Sequence, residues 1–152
     1  WTGASRQRQT IGWTSITTRA DIAAFAAEVA QDPRGWRNYS TAIGEALEQA
    51  AGLFAKVSEC RRRVIDVSGD GVSNEGVPPA QLLKRLVRQG ITINAVAIET
   101  DAEDQTGYFF ENVIAGEGAF VMTADGFEDY PEKIKRKLQR ETTRQLSHFA
   151  SP

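Results

Sequence analysis

Ser68-Gly69-Asp70-Gly71 sets a carboxylate between two glycines directly after the apolar run Val64-Ile65-Asp66-Val67. Ligands of open α/β sheets bind beyond the carboxyl ends of strands, so Asp70 stands where a site is expected. A carboxylate held there can take a hard divalent cation, directly or through water, because Mg²⁺ seeks oxygen ligands in near-octahedral geometry and keeps several waters. The same carboxylate can instead cap the amides of its own turn, and local spacing leaves both readings open. Thr41 is the second oxygen candidate, at the head of Thr41-Ala42-Ile43-Gly44-Glu45-Ala46-Leu47. A hydroxyl in that place ordinarily caps a helix. It becomes a ligand only if it converges with Asp70 from a separate loop.

Other chemistries fit less well. Gly69-x-Gly71 lacks the third glycine of a dinucleotide fingerprint, since Gly76 comes too late and Pro78-Pro79 delays the helix. Gly69-Asp70-Gly71-Val72-Ser73-Asn74 also resembles the Mg²⁺-binding loop of haloacid-dehalogenase-like phosphatases, but their Asp-x-Asp-x-Thr nucleophile loop is absent. That leaves Mg²⁺-assisted phosphoryl transfer as the enzyme alternative. His148, the only histidine, lies near the C-terminus without a nearby nucleophile and reads as a surface residue. Asp66, inside an apolar strand, needs a donor if buried, and Asn94 in the neighbouring strand is a candidate partner. Cys60 has no second cysteine to pair with and reads as a small half-buried side chain.

These residues need elements to carry them. Thr17 and Thr18 offer an N-cap to a helix with Ile22, Phe25, Ala26 and Val29 at helical spacing, ending near Asp32-Pro33. Gln7 to Trp13 reads as extended. A second helix starts near Ser40 or Thr41 and gathers Ile43, Ala46, Leu47, Ala50, Leu53, Phe54 and Val57 on one face. A strand at Arg63 to Val67 is followed by a helix through Leu82, Leu83, Leu86 and Val87, then a strand at Ile91 to Ile98. A short aromatic element at Tyr108 to Phe110, a strand at Ala119 to Met122, and a helix from about Tyr130 with Ile134, Leu138 and Leu146 turned inward complete the order. Near-continuously apolar strands alternating with helices predict a single α/β domain, a doubly wound, Rossmann-like, mainly parallel sheet flanked by helices. Three strands are few for such a sheet, which predicts missing N-terminal strands and an open edge beside Val64 to Val67 able to pair with another chain.

Composition narrows the partners. The 152 residues carry 18 Lys and Arg against 20 Asp and Glu, a net charge of −2, too balanced to draw nucleic acid by its bulk field. Lys133, Lys135, Arg136, Lys137, Arg140 and Arg144 make the last helix basic, but without interleaved aromatics it reads as a solvated face. Trp13, Trp36, Tyr39, Tyr108, Phe109 and Phe110 read as packing between helix and sheet rather than as a binding rim. No stretch is long and apolar enough to predict a membrane span. The sequence opens on Trp1, without a charged n-region and apolar h-region after it, so any signal peptide is expected upstream.

Thr-x-Ile-x-x-Ala-Leu at Thr41 to Leu47, with Val-Ile-Asp-Val-Ser-Gly-Asp-Gly at Val64 to Gly71, resembles the von Willebrand factor type A (vWA) domain. Arg63 to Gly76, Gly90 to Ala95 and Val113 to Phe120 resemble, more narrowly, a bacterial branch of that superfamily of uncharacterised function. The resemblance runs from Trp1 to about Glu141. It implies a metal-ion-dependent adhesion site, in which an Asp-x-Ser-x-Ser loop, a threonine and a later aspartate surround Mg²⁺ or Mn²⁺. Thr41 matches the threonine and Asp70 the aspartate; Ser40, Ser68, Gly69, Gly71 and Asn74 are the supporting loop positions. The Asp-x-Ser-x-Ser loop has no counterpart here, so the resemblance implies the C-terminal part of such a domain, with weak cation affinity on its own. It further implies a protein ligand that supplies an acidic residue, no catalysis, and a periplasmic or extracellular location. A structural domain with a degenerate metal site is the third reading.

Overall fold

The computed structural model describes residues 1–33, 35, 40–100 and 104–148, with side chains described to residue 143. The elements run α1 (Arg19–Gln31), α2 (Ile43–Leu53) with a 3-10 turn at Phe54–Val57, β1 (Arg63–Gly69), α3 (Ala80–Arg88), β2 (Ile91–Ile98), α4 (Gln105–Asn112), β3 (Val121–Ala124) and α5 (Tyr130–His148). The three strands form one parallel sheet in the order β1-β2-β3. Helices flank it, which is the expected α/β, Rossmann-like arrangement. The register sets Ile65 beside Ile93, Asp66 beside Asn94 and Ser68 beside Val96.

Strand residues alternate between two faces, and the two faces are unlike. Ile65, Val67, Ile93, Ala95 and Ala97 join Ile43 and Leu47 of α2, Leu82 and Leu86 of α3, and Phe109 of α4 in the main core. Each fully buried aliphatic side chain there stabilises the fold by about 2 kcal/mol. On the other face Val96, Ile98 and Ala124 pack with Tyr130 and Ile134 of α5. Next to them the second face turns polar. The wholly buried Lys137 donates to Asp66 and, at 2.9 Å, to Glu141, while Asn94 Nδ2 donates to Glu141 Oε1 at 2.7 Å and Phe120 N to Asn94 Oδ1 at 3.1 Å. Burial pushes the Asp66 carboxyl up, against the pull of the Lys137 ammonium and with the Glu141 carboxylate adding to the rise.

Several local expectations shift. Thr18, not Thr17, caps α1 through a capping box with Asp21. Yet no residue of α1 is buried, and Ile22 and Val29 stay 55% and 49% exposed, because no described element lies over their stripe. Asp66 bonds Lys137 rather than Asn94, and Lys137 leaves the basic face of α5 to do so. Cys60 is exposed on the connection into β1. Tyr108 to Phe110 belongs to α4, β3 starts two residues later than expected, and Leu138 points outward. Trp13 packs on Phe54 in a tilted arrangement with ring centroids 5.6 Å apart and donates to Leu53 O, but remains half exposed, while Phe110 is largely in solvent. Trp36 and Tyr39 lie outside the described residues, as do the side chains of Arg144, Leu146 and His148.

Candidate functional site

β1 ends at Gly69, so Asp70 is the first residue past the sheet, exposed at its carboxyl edge. Gly69 packs closely on the core below: a Cβ there would lie 3.0 Å from Phe109 Cζ, so a larger residue would make the ring give by a few tenths of an ångström. The chain after Asp70 crosses to the segment ahead of α2. Thr41 N donates to Asn74 Oδ1 at 2.7 Å, and Asn74 N returns a bond to Thr41 O at 2.9 Å. Glu75 N and Ser73 Oγ also donate to Thr41 O, both at 3.3 Å. Ser73 Oγ accepts from Ile43 N at 3.2 Å, serving one of the free amides at the start of α2. Tyr108 of α4 accepts from Ser73 N at 3.1 Å, and Glu45 of α2 accepts from Val77 N at 2.8 Å.

Thr41 is therefore held by its backbone, and its hydroxyl is not the helix cap. Ala42 occupies the N-cap position, without a side-chain hydrogen bond. Among the described residues no hydrogen bond or ion pair engages the Thr41 hydroxyl or the Asp70 carboxylate. Both residues line one cleft of about 640 Å³, together with Ser40, Ser68, Gly69 and Gly71. Asn74 supports the cleft through Thr41. Ser68 faces α5, where its Oγ accepts from the Tyr130 hydroxyl at 3.0 Å.

The opposite wall comes from parts of the chain without periodic pattern: Trp1, Thr2, Arg8, Thr10, Asp32 and Pro33 also line the cleft. Thr2 ties that wall to the site, its hydroxyl donating to Ser40 O at 2.7 Å and its carbonyl accepting from Ala42 N at 2.9 Å. No spacing signal in the sequence marked these wall residues. Ser73 was read only as part of the Gly69–Asn74 loop, Tyr108 only as a packing aromatic and Glu45 only within the Thr41–Leu47 run, since the role of each is a bond to a backbone group of a distant segment.

The donor set is oxygen only, a hydroxyl and a carboxylate with Ser40 beside them, which suits a hard cation that keeps most of its water. Among the described residues no three His, Cys, Asp or Glu side chains cluster as ligands, so a cation here would lean on water or on a further polypeptide.

A family model, "Protein of unknown function (DUF1194)", matches residues 1–146. The chain belongs to the DUF1194 family. No curated protein matches this DUF1194 chain. A similar solved structure is that of an uncharacterised membrane-spanning protein from Vibrio fischeri, 17% identical with a TM-score of 0.40, covering 78% of this chain. The DUF1194 chain spans 65% of that protein's length. Among the described residues of the DUF1194 chain, no helix is long and apolar enough to cross a membrane.

Proposed function

We propose that this protein is a vWA-like, divalent-cation-dependent binding module whose partner is a protein bearing an exposed Asp or Glu. The reading rests on one observation: Thr41 and Asp70, more than two dozen positions apart, line one cleft with side chains that nothing described engages. Thr41 and Asp70 would hold Mg²⁺ or Mn²⁺, with Ser40 beside them, and Asn74 and Ser68–Gly71 would keep the loops in place. The cation would supply charge to attract a partner carboxylate. Such a site binds without breaking a bond. The resemblance also supports a location outside the cytoplasm.

Calorimetric titration of the full-length protein with Mn²⁺ and Mg²⁺ tests the reading. Thr41→Val and Asp70→Asn should each lower affinity at least tenfold. Unchanged affinity in both variants would remove these residues as ligands. A phosphatase screen addresses phosphoryl transfer: turnover abolished by Asp70→Asn would replace binding with catalysis. Folded protein with no cation response in any form would leave a structural domain.

A further inference from the structure

At the end of the sheet away from Asp70, five arginines converge. Arg61, Arg62 and Arg63 lead into β1, Arg88 ends α3, and Arg140 lies on α5. Hydrogen bonds tie these elements together at that end. Arg62 NH1 donates to Glu141 O at 3.2 Å and Arg63 NH1 to Gln89 O at 3.4 Å, while the Arg140 guanidinium stacks on the buried Phe120 ring at 3.8 Å. Arg63 is half-buried and the other four are exposed. Among the described residues no ion pair neutralises any of the five, whereas Arg85, Lys133, Arg136 and Lys137 all have carboxylate partners.

A structural role uses little of this. Each carbonyl contact occupies one of a guanidinium's five N–H donors, so the rest of every fork remains available to phosphate oxygens. The contacts also hold the forks of Arg62, Arg63 and Arg140 in place, reducing the entropy lost when a ligand is bound, while Arg61 and Arg88 add charge beside them. Charge gathered on one end of a molecule of net charge −2 acts at short range only, within about a Debye length. That favours contact with a dense anionic surface over long-range capture of a polyanion. The aromatic ring in the cluster, Phe120, is covered by Arg140 and offers no face for base stacking.

We infer that this arginine end is a docking face for the phosphate headgroups of an anionic lipid bilayer, leaving the Asp70 cleft at the far end of β1 pointing away from the membrane. β1 has seven residues, so the two ends stand about 20 Å apart. The inference is independent of whether the cleft takes a cation.

Co-sedimentation of the full-length protein with phosphatidylcholine vesicles, with and without phosphatidylglycerol, tests it. Binding should require phosphatidylglycerol and disappear at high salt. The pair Arg61→Glu and Arg88→Glu, whose side chains make no hydrogen bond among the described residues, should keep the native circular dichroism spectrum and lose about 20-fold or more in vesicle affinity. Arg6→Glu with Lys135→Glu makes the same charge change elsewhere and should leave binding within a few-fold of wild type. No binding to anionic vesicles, equal losses in both double variants, or tighter binding to duplex DNA than to vesicles would each overturn the inference.

Discussion

Asn74 and Thr41 are joined by reciprocal hydrogen bonds, Thr41 N to Asn74 Oδ1 at 2.7 Å and Asn74 N to Thr41 O at 2.9 Å. The loop that follows Asp70 is thereby fastened to the segment that presents Thr41, and neither residue moves without the other. Asn74→Ala should cost about 1 kcal/mol in urea denaturation, by leaving the Thr41 amide without its acceptor, and should weaken Mn²⁺ binding along with it. Asn74→Asp keeps the acceptor oxygen and should match wild type in stability, while its added negative charge beside Thr41 should not weaken Mn²⁺ binding. Equal stability of wild type and Asn74→Ala would show that the clamp carries no weight.

The buried ammonium of Lys137 holds together two carboxylates from different elements. Lys137→Met leaves the buried Glu141 and the more exposed Asp66 facing each other without a counter-charge. It should destabilise the fold at neutral pH in chemical denaturation, by less than the roughly 3–5 kcal/mol of a fully buried pair because Asp66 keeps contact with water. Lys137→Met combined with Asp66→Asn and Glu141→Gln should recover most of that loss, because no unpaired charge remains. A single Lys137→Met variant as stable as wild type would contradict this account.

Two aspartates should bend the acid stability profile in opposite directions. The Thr17 and Thr18 amides and hydroxyls pull Asp21 down to about 2, so the stability it lends is complete above its ordinary 3.8 and lost as pH falls from there towards 2. Asp66 is raised, chiefly by burial, so its folded form holds a proton more tightly than the unfolded chain. Its contribution therefore favours folding at acid pH and is lost as pH climbs from 3.8 through the raised value. Carboxyl-detected NMR titration should find Asp66 well above Asp21. Asp66→Asn should flatten the upper slope and Asp21→Asn the lower one.

Gly44, in the first turn of α2, lies against backbone. A Cβ would sit 2.1 Å from Val77 O, and a carbonyl in a pinned loop cannot step aside as a flexible side chain can. Gly44→Ala should therefore lower stability by about 1–3 kcal/mol, despite alanine's better helix propensity, and should disturb the Ser73–Val77 loop. Amide exchange of Asn74 and Val77, whose N–H groups bond Thr41 O and Glu45, reports the second effect directly.

The fold was legible where apolar spacing recurs. Ile65 and Val67, Leu82 and Leu86, and Ile91 to Ile98 announced the strands and helices that now pack together. The convergence of Thr41 and Asp70 was legible only as a condition, because two loops cannot be brought together by periodicity in either one. Asp66 carried a readable signal, a charge inside an apolar strand, whereas Lys137 was read as part of a solvated basic face. The meeting of Asp66 and Lys137 across 71 residues was not legible, since a lysine on a basic helix looks solvated until the strand beneath it is known. The exposed stripe of α1 shows the converse: Ile22 and Val29 obey helical spacing without being covered.

The polar cluster also polices strand alignment. Sliding β1 by one residue against β2 would invert its two faces, driving the Asp66 carboxylate in among Leu82, Leu86 and Phe109 and offering hydrocarbon to the Lys137 ammonium. Either error strands a charge in oil. Misthreaded sheets are thus penalised twice, once on each face of β1, so the charged cluster under α5 helps to single out one register among the possible pairings.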